Sequence, residues 1–199
     1  RALDQEIAED AYHTPYIRPL VQPKFRREKK GLTPAERGTA THLVLQYLDL
    51  QNSDVPGQVE KLRLEAKLTA EQAAAVDVPA LRRFLESPLA EEMRQAETAA
   101  REYRFTVLMP ARDYDPAAAE EDSILLQGVV DCWFETPEGI TVVDFKTDFV
   151  QTEEDVAQHA ELYRGQLAAY SLALERVLEK AVTRKALYFL QAGKTVEIS

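Results

Sequence analysis

The sequence predicts an α/β fold: a mixed central sheet flanked by helices, with a helical insertion toward the N-terminal end. Three observations predict it. Residues 123–146 read as a strand hairpin, with β-branched and aromatic residues on both sides of Thr136-Pro137-Glu138-Gly139. A long helical segment, residues 153–180, follows the hairpin directly. A second pair of strands, 186–191 and 195–199 around Ala192-Gly193-Lys194, follows that helix.

Pro15, Pro19 and Pro23 discourage a long helix, so residues 1–32 are expected to be an irregular connecting or wrapping segment. Residues 33–199 then form a single domain. Thr33-Pro34-Ala35-Glu36 is a helix start, with Thr as N-cap, Pro at the first position and Glu closing a capping box. That helix should reach about Leu50 and be broken by residues 54–57. Residues 58–97 read as an insertion of short helices with Thr69, Asp77 and Ser87 as caps. A strand over 101–109 and a polar, acidic loop over 113–122 precede the hairpin, whose strands are 123–135 and 140–146. Pro and Gly at the second and fourth turn positions favour a type I turn. The helix over 153–180 is expected to be broken or kinked near Gly165.

Composition narrows the class. Hydrophobic content of 45% and charged content of 29% are those of an ordinary globular domain. There is no apolar run long enough for a transmembrane helix, and no secretory signal, so a cytoplasmic bacterial protein is expected. The chain opens on Arg1 rather than Met, which reads as a domain of something longer. The lone Cys132 excludes internal disulfides and any four-cysteine zinc or iron–sulfur site. A net charge of -10 sits awkwardly with nucleic-acid binding. One basic run, Lys24, Arg26, Arg27, Lys29 and Lys30 around Glu28, offers either a local footprint for DNA or a solvated linker.

The chemistry concentrates in Gly128-Val129-Val130-Asp131 and Val142-Val143-Asp144-Phe145-Lys146-Thr147. Burying charges in such apolar strands costs several kcal/mol unless something compensates. Strand alternation sends Asp144 and Lys146 to one face, and Val143 and Phe145 to the other. A hairpin centred between Pro137 and Glu138 sets Asp131 opposite Asp144, with Cβ atoms roughly 5 Å apart. Two carboxylates that close repel, and a divalent cation between them is the usual remedy. Metal plus lysine is what phosphodiester hydrolysis needs, so the chain reads as a metal-dependent nuclease. The bland alternative is a surface hairpin with a solvated Asp–Lys pair.

Two further pairs join these. His42 lies one helical turn after Gly38, whose missing side chain leaves room above the imidazole for a metal, a phosphate or a strand. A His beside carboxylates also accommodates manganese. Gln166 and Tyr170 share a helix face with Tyr163 and Leu174, so they are either DNA-positioning groups or a core stripe.

Together these residues resemble the RecB-type family of PD-(D/E)XK nucleases, whose pattern is Gly-x-x-x-His, Gly-x-x-Asp, Asp-x-Lys and Gln-x-x-x-Tyr in that order. Here it is carried by Gly38 and His42, Gly128 and Asp131, Asp144 and Lys146, and Gln166 and Tyr170. The stretches Glu36-Arg37-Gly38-Thr39-Ala40-Thr41-His42 and Tyr163-Arg164-Gly165-Gln166-Leu167 are most similar to the AddA-type helicase–nuclease branch. The resemblance implies a restriction-endonuclease-like core and a Mg2+-dependent (Mn2+ possible) DNA nuclease, an exonuclease in the setting of a helicase–nuclease that serves double-strand-break repair and recombination. It implies His42, Asp131, Asp144 and the Phe145 carbonyl as metal ligands. Lys146 would orient or help deprotonate the attacking water, and Gln166 and Tyr170 would position the DNA. Glu102 would be an outer acid, although an exposed strand glutamate is the commoner reading. The implied partners are DNA, as a single strand, covalently attached helicase domains and an AddB-like subunit, with no membrane. Some relatives carry an iron–sulfur cluster that this chain cannot, having only Cys132. Two rivals stay open: a catalytically silent DNA-binding module with a nuclease fold, and a metal-dependent hydrolase of another small phosphoester.

Overall fold

The computed structural model describes residues 31–113, 116–148, 150 and 152–198. The basic run at 24–30, and all but the end of the expected 1–32 segment, lie outside the described residues.

Helix α1 (Pro34–Tyr47) begins at the anticipated capping box: Thr33 accepts from the Glu36 backbone N–H, and the Glu36 carboxylate accepts from the Thr33 backbone. It ends at Tyr47, short of Leu50, because Leu48 turns extended and buries its side chain. Residues 54–57 do not break a helix; they start one. Asp54 caps α2 (Val55–Leu64) by accepting from the Gly57 N–H at 3.0 Å. Proline in a first turn has no intrahelical N–H bond to lose, so Pro56 is tolerated there. Thr69, Asp77 and Ser87 cap α3 (Ala70–Ala75), α4 (Val78–Leu85) and α5 (Pro88–Gln95), each side chain accepting from a first-turn N–H.

The sheet has the order β1-β2-β3-β4-β5. Strands β1 (Ala99–Pro110), β2 (Ser123–Thr136) and β3 (Gly139–Lys146) pair antiparallel. Helix α6 (Glu153–Leu178) then carries the chain to β4 (Val182–Phe189), parallel to β3, and β5 (Lys194–Glu197) returns antiparallel. The sheet is therefore mixed, as expected. The β2–β3 turn pairs Thr136 with Gly139, so Pro137 and Glu138 form a two-residue loop. Strand β4 starts four residues ahead of the expected 186, its first residues being only partly buried.

Helix α6 runs unbroken through Gly165. A helical glycine costs about 1 kcal/mol relative to alanine. Burial of Val156, Ala160, Leu167, Ala173 and Leu174 along the same helix outweighs that cost.

Two cores result, one on each face of the sheet. The first joins α1–α5 to Cys132, Phe134, Val143, Phe145, Ala186 and Tyr188. Phe84 anchors it, edge-on to Phe145 at 5.1 Å and to Tyr188 at 4.9 Å. The second joins α6 to Phe105, Val130, Trp133, Ile140, Val142, Leu187 and Phe189. Among the described residues no helix is long and apolar enough to cross a membrane.

Candidate active site

The site forms where β2 and β3 part. Their ladder ends at Cys132 opposite Val143, one step before Asp131 and Asp144. Beyond that point the ladder gives the Phe145 N–H no partner on β2; the Asp131 Oδ2 accepts it instead, at 2.8 Å. A side chain thus takes over a bond that the sheet backbone gives up.

On the other side of Asp131 lies Glu102, bracketed by the pairs Arg101–Cys132 and Tyr103–Val130. Glu102, Asp131 and Asp144 therefore form one row across three strands. Glu102 has a left-handed backbone, φ 51°, inside a strand. Such a conformation is unfavourable for a residue with a Cβ and persists where the surroundings impose it. The alternation of both strands changes phase there. Ala100 before the row and Tyr103, Phe105 and Val107 after it all pack on the α6 side, as do Trp133 and Val130 on β2. The phase change lets the acidic row turn toward α1.

Helix α1 brings His42 to the row. Arg101 donates to the Leu45 carbonyl at 2.9 Å and ties the C-terminal part of α1 to β1. Gly38 faces Thr147, just after β3; a Cβ there would meet the Thr147 Oγ1 at 3.1 Å. His42 Nδ1 approaches Asp131 Oδ1 at 3.3 Å. His42, Glu102 and Asp131 each offer a ligand atom within 4.8 Å of the others, which fits a divalent cation. Asp144 is outside that group; its carboxylate is turned to Lys146, with Nζ 2.7 Å from Oδ2. The contact is close but off-line, and no donor is directed at this buried Oδ2. An acceptor so placed suits a cation.

Burial first, then the charge of Asp131, pushes the Asp144 carboxyl up to about 6, against the pull of Lys146. Burial also raises the Glu102 carboxyl, with Asp131 adding to it. For His42, burial acts downward, but the hydrogen bond and charge of Asp131, helped by Asp144, leave the imidazole above its ordinary value. All three groups bind protons more tightly in the absence of a cation, the behaviour of like charges crowded in poor solvent.

Lys146 donates to the Gln166 Oε1 at 3.1 Å, and Gln166 Nε2 donates to the Tyr170 hydroxyl oxygen at 2.8 Å. A lysine cannot accept, so the amide orientation follows from the network. The Tyr170 hydroxyl proton then points onward. Burial pushes that phenol up to about 12, so it stays a donor. Gly128 makes room for this group: a Cβ there would lie 2.8 Å from Phe105 Cζ and 3.3 Å from Tyr170 Cε1. An open pocket of about 620 Å³ beside the row is lined by Pro34, Gly38, Thr39, His42, Glu102 and Asp148, among others.

The structure therefore brings together His42, Asp131, Asp144, Phe145, Lys146, Gln166 and Tyr170. It adds Glu102 to the ligand-bearing group, and it sets the Tyr163 ring against Lys146 at 3.4 Å from the ring centroid. Neither has a strong signal in sequence. The Glu102 strand pattern is ordinary, and Tyr163 sits in an apolar helical stripe that reads equally as core.

A family model described as the PD-(D/E)XK nuclease superfamily matches residues 11–197. An ATP-dependent helicase/nuclease protein of Acetivibrio thermocellus, the A chain of that enzyme, is 39% identical over 200 residues, 98% of this chain and 16% of that protein. The protein of the same name from Ruminiclostridium cellulolyticum is 37% identical over 98% of this chain and 16% of its own length. That of Bacillus cytotoxicus is 37% identical over 96% of this chain and 17% of its own. The chain thus spans about one sixth of the length of these relatives. A match over nearly the whole chain, on a mixed sheet whose third strand carries Asp144-Phe145-Lys146, is decisive: the chain belongs to the PD-(D/E)XK nuclease superfamily.

Proposed function

We propose that this chain is the nuclease module of an ATP-dependent helicase–nuclease, hydrolysing DNA phosphodiester bonds during double-strand-break repair and recombination in the bacterial cytoplasm. The observation that carries the reading is the convergence of His42, Glu102 and Asp131 beside the buried Asp144–Lys146 pair. The name shared by the relatives supports the helicase setting, with DNA, as a single strand, for substrate and an AddB-like subunit for partner.

His42, Asp131 and Asp144 would hold Mg2+, with Mn2+ as an accepted substitute, and Glu102 would complete the set. A strand residue's N–H and C=O point to the same edge, so the Phe145 carbonyl faces the Asp131 side and would serve as a further oxygen ligand. A divalent cation there supplies Lewis acidity toward water and phosphate. The protein's own part is orientation. Lys146, held by Asp144 and Gln166, would align the attacking water and offset charge developing on the phosphate. Gln166 uses its oxygen and one N–H internally, so its second N–H and the Tyr170 hydroxyl are the donors for the DNA backbone. Cutting would be exonucleolytic when a motor feeds the strand.

The test is cleavage of labelled single-stranded DNA with Mg2+, Mn2+ or EDTA, beside Asp144→Asn. Metal-dependent cutting that the variant loses is the expected result. Binding of DNA and metal without cutting would identify a silent DNA-binding module. Faster turnover of a small phosphodiester than of DNA would identify a different hydrolase.

A further inference from the structure

The Lys146 side chain has four rotatable bonds and a compact charge, so something must fix its ammonium for it to act at one point. Its side chain is only 12% exposed, so water does not do this. Two holders are Asp144 Oδ2 at 2.7 Å and Gln166 Oε1 at 3.1 Å. The third is an aromatic face: Nζ stands 3.4 Å from the centroid of the Tyr163 ring. The ring is itself anchored, since the Tyr163 hydroxyl donates to Asp148 Oδ2 at 3.1 Å. Asp148 follows β3 by two residues and lines the pocket beside the acidic row.

We propose that Tyr163 is a positioning residue for Lys146: its ring face holds the ammonium, and its hydroxyl, tied to Asp148, holds the ring. This rests on the catalytic reading of Lys146. A tyrosine used only for packing would be replaceable by an aliphatic side chain of like size. A ring facing a poorly hydrated cation is not, because only its quadrupole attracts the charge. Tyr163 precedes Gln166 by three residues, so one turn of α6 supplies both an acceptor and a ring face to the same ammonium. With an anion on a third side, the free N–H is left to point into the site.

The test uses the intact protein in wild-type, Tyr163→Phe, Tyr163→Leu and Lys146→Ala forms. Tyr163→Leu is expected to lower kcat about tenfold, the size of a desolvated cation–π contact, with KM for single-stranded DNA and Mn2+ affinity unchanged. Tyr163→Phe keeps the ring and should lose no more than about threefold, as for one hydroxyl hydrogen bond. An unchanged kcat in Tyr163→Leu overturns the proposal. A loss confined to KM overturns it too, because Tyr163 would then contact DNA. So does an equal loss in Tyr163→Phe, because the Asp148 bond and not the ring face would matter.

A second readout needs no turnover. In the ring's shielding cone the Lys146 ε-methylene protons resonate upfield of ordinary lysine in the wild type and in Tyr163→Phe. Ordinary positions in either protein overturn the proposal even if Tyr163→Leu fails to fold. Upfield shifts in a protein that does not cut would uphold the contact while defeating the nuclease reading.

Discussion

The two faces of the sheet share strands but follow different rules. On the insertion side, Val143 and Phe145 meet Phe84 and Tyr188 in a core of apolar side chains. One residue along β3 in either direction, on the α6 side, Asp144 and Lys146 are buried as charges. The first face is held by close packing alone. The second is apolar only as far as Val142 and Leu187, and then becomes a polar network of carboxylates, lysine, amide and phenol. One strand can support a site because its other side is secured independently. Charges that strain one face are tolerated because the other contributes dispersion and hydrophobic burial without compromise.

That division can be tested from either side. Asp144→Asn should lower cleavage on the order of a thousandfold, since several kcal/mol of transition-state stabilisation are lost. The metal-free variant should melt no lower than the wild type, because a charge held against burial has gone. Strong thermal destabilisation without metal would show that Asp144 belongs to the structural face instead.

Phe84→Ala probes the opposite face and should reduce stability by about 3–5 kcal/mol in denaturant titrations. Turnover per folded molecule should stay near wild type. A fall in turnover as large as that of Asp144→Asn would mean the two faces are not separable.

Titration deepens the contrast, because the raised acidic groups and the raised imidazole gather at the site. Asp144, pushed up to about 6, and Glu102 take up protons in the folded state before they do so unfolded. Their contribution to metal-free stability therefore declines as pH rises above the unfolded carboxyl range toward 6. His42 runs in the same direction: its share is complete below the ordinary imidazole value and is lost as pH rises through its raised folded value. A cation must displace these protons, so the gap in Tm between Mg2+ and EDTA should widen by several degrees from about pH 5.5 to about pH 8. A gap independent of pH would dissociate the metal from these three groups.

The smallest effect is expected at Gly165, exposed on α6, where an added Cβ would meet no neighbouring atom within 4 Å. Gly165→Ala should raise stability by about 0.5–1 kcal/mol, measured by thermal melts, and leave cleavage unchanged. Lost cleavage at unchanged KM would show that the site needs a looser helix here.

Much of this division is legible in the sequence, and the exceptions are instructive. The caps at Thr33, Thr69, Asp77 and Ser87 are local, made by a side chain and a backbone three residues away, so they can be read directly. The hairpin register follows from the turn that sets it. His42, Asp131, Asp144, Lys146, Gln166 and Tyr170 are found by spacing. Residues 54–57 mislead because Pro and Gly mark helix starts as well as breaks, and Gly165 misleads because tertiary burial outweighs propensity. Glu102 and Tyr163 are invisible for another reason. Their significance lies in a left-handed φ and in a ring beneath a lysine from another element, neither of which leaves a periodic trace.

The Phe145 N–H that donates to Asp131 distinguishes the two aspartates in their tolerance of loss. Asp144 serves only the chemistry, whereas Asp131 also closes a gap in the sheet and contacts His42. A lineage relieved of selection for cutting would thus shed Asp144 or Lys146 first and keep Asp131, because drift at Asp131 would weaken the fold as well. Descendants that have fallen silent should be recognisable by an intact Gly128-to-Asp131 strand beside an eroded Asp144-to-Lys146 one.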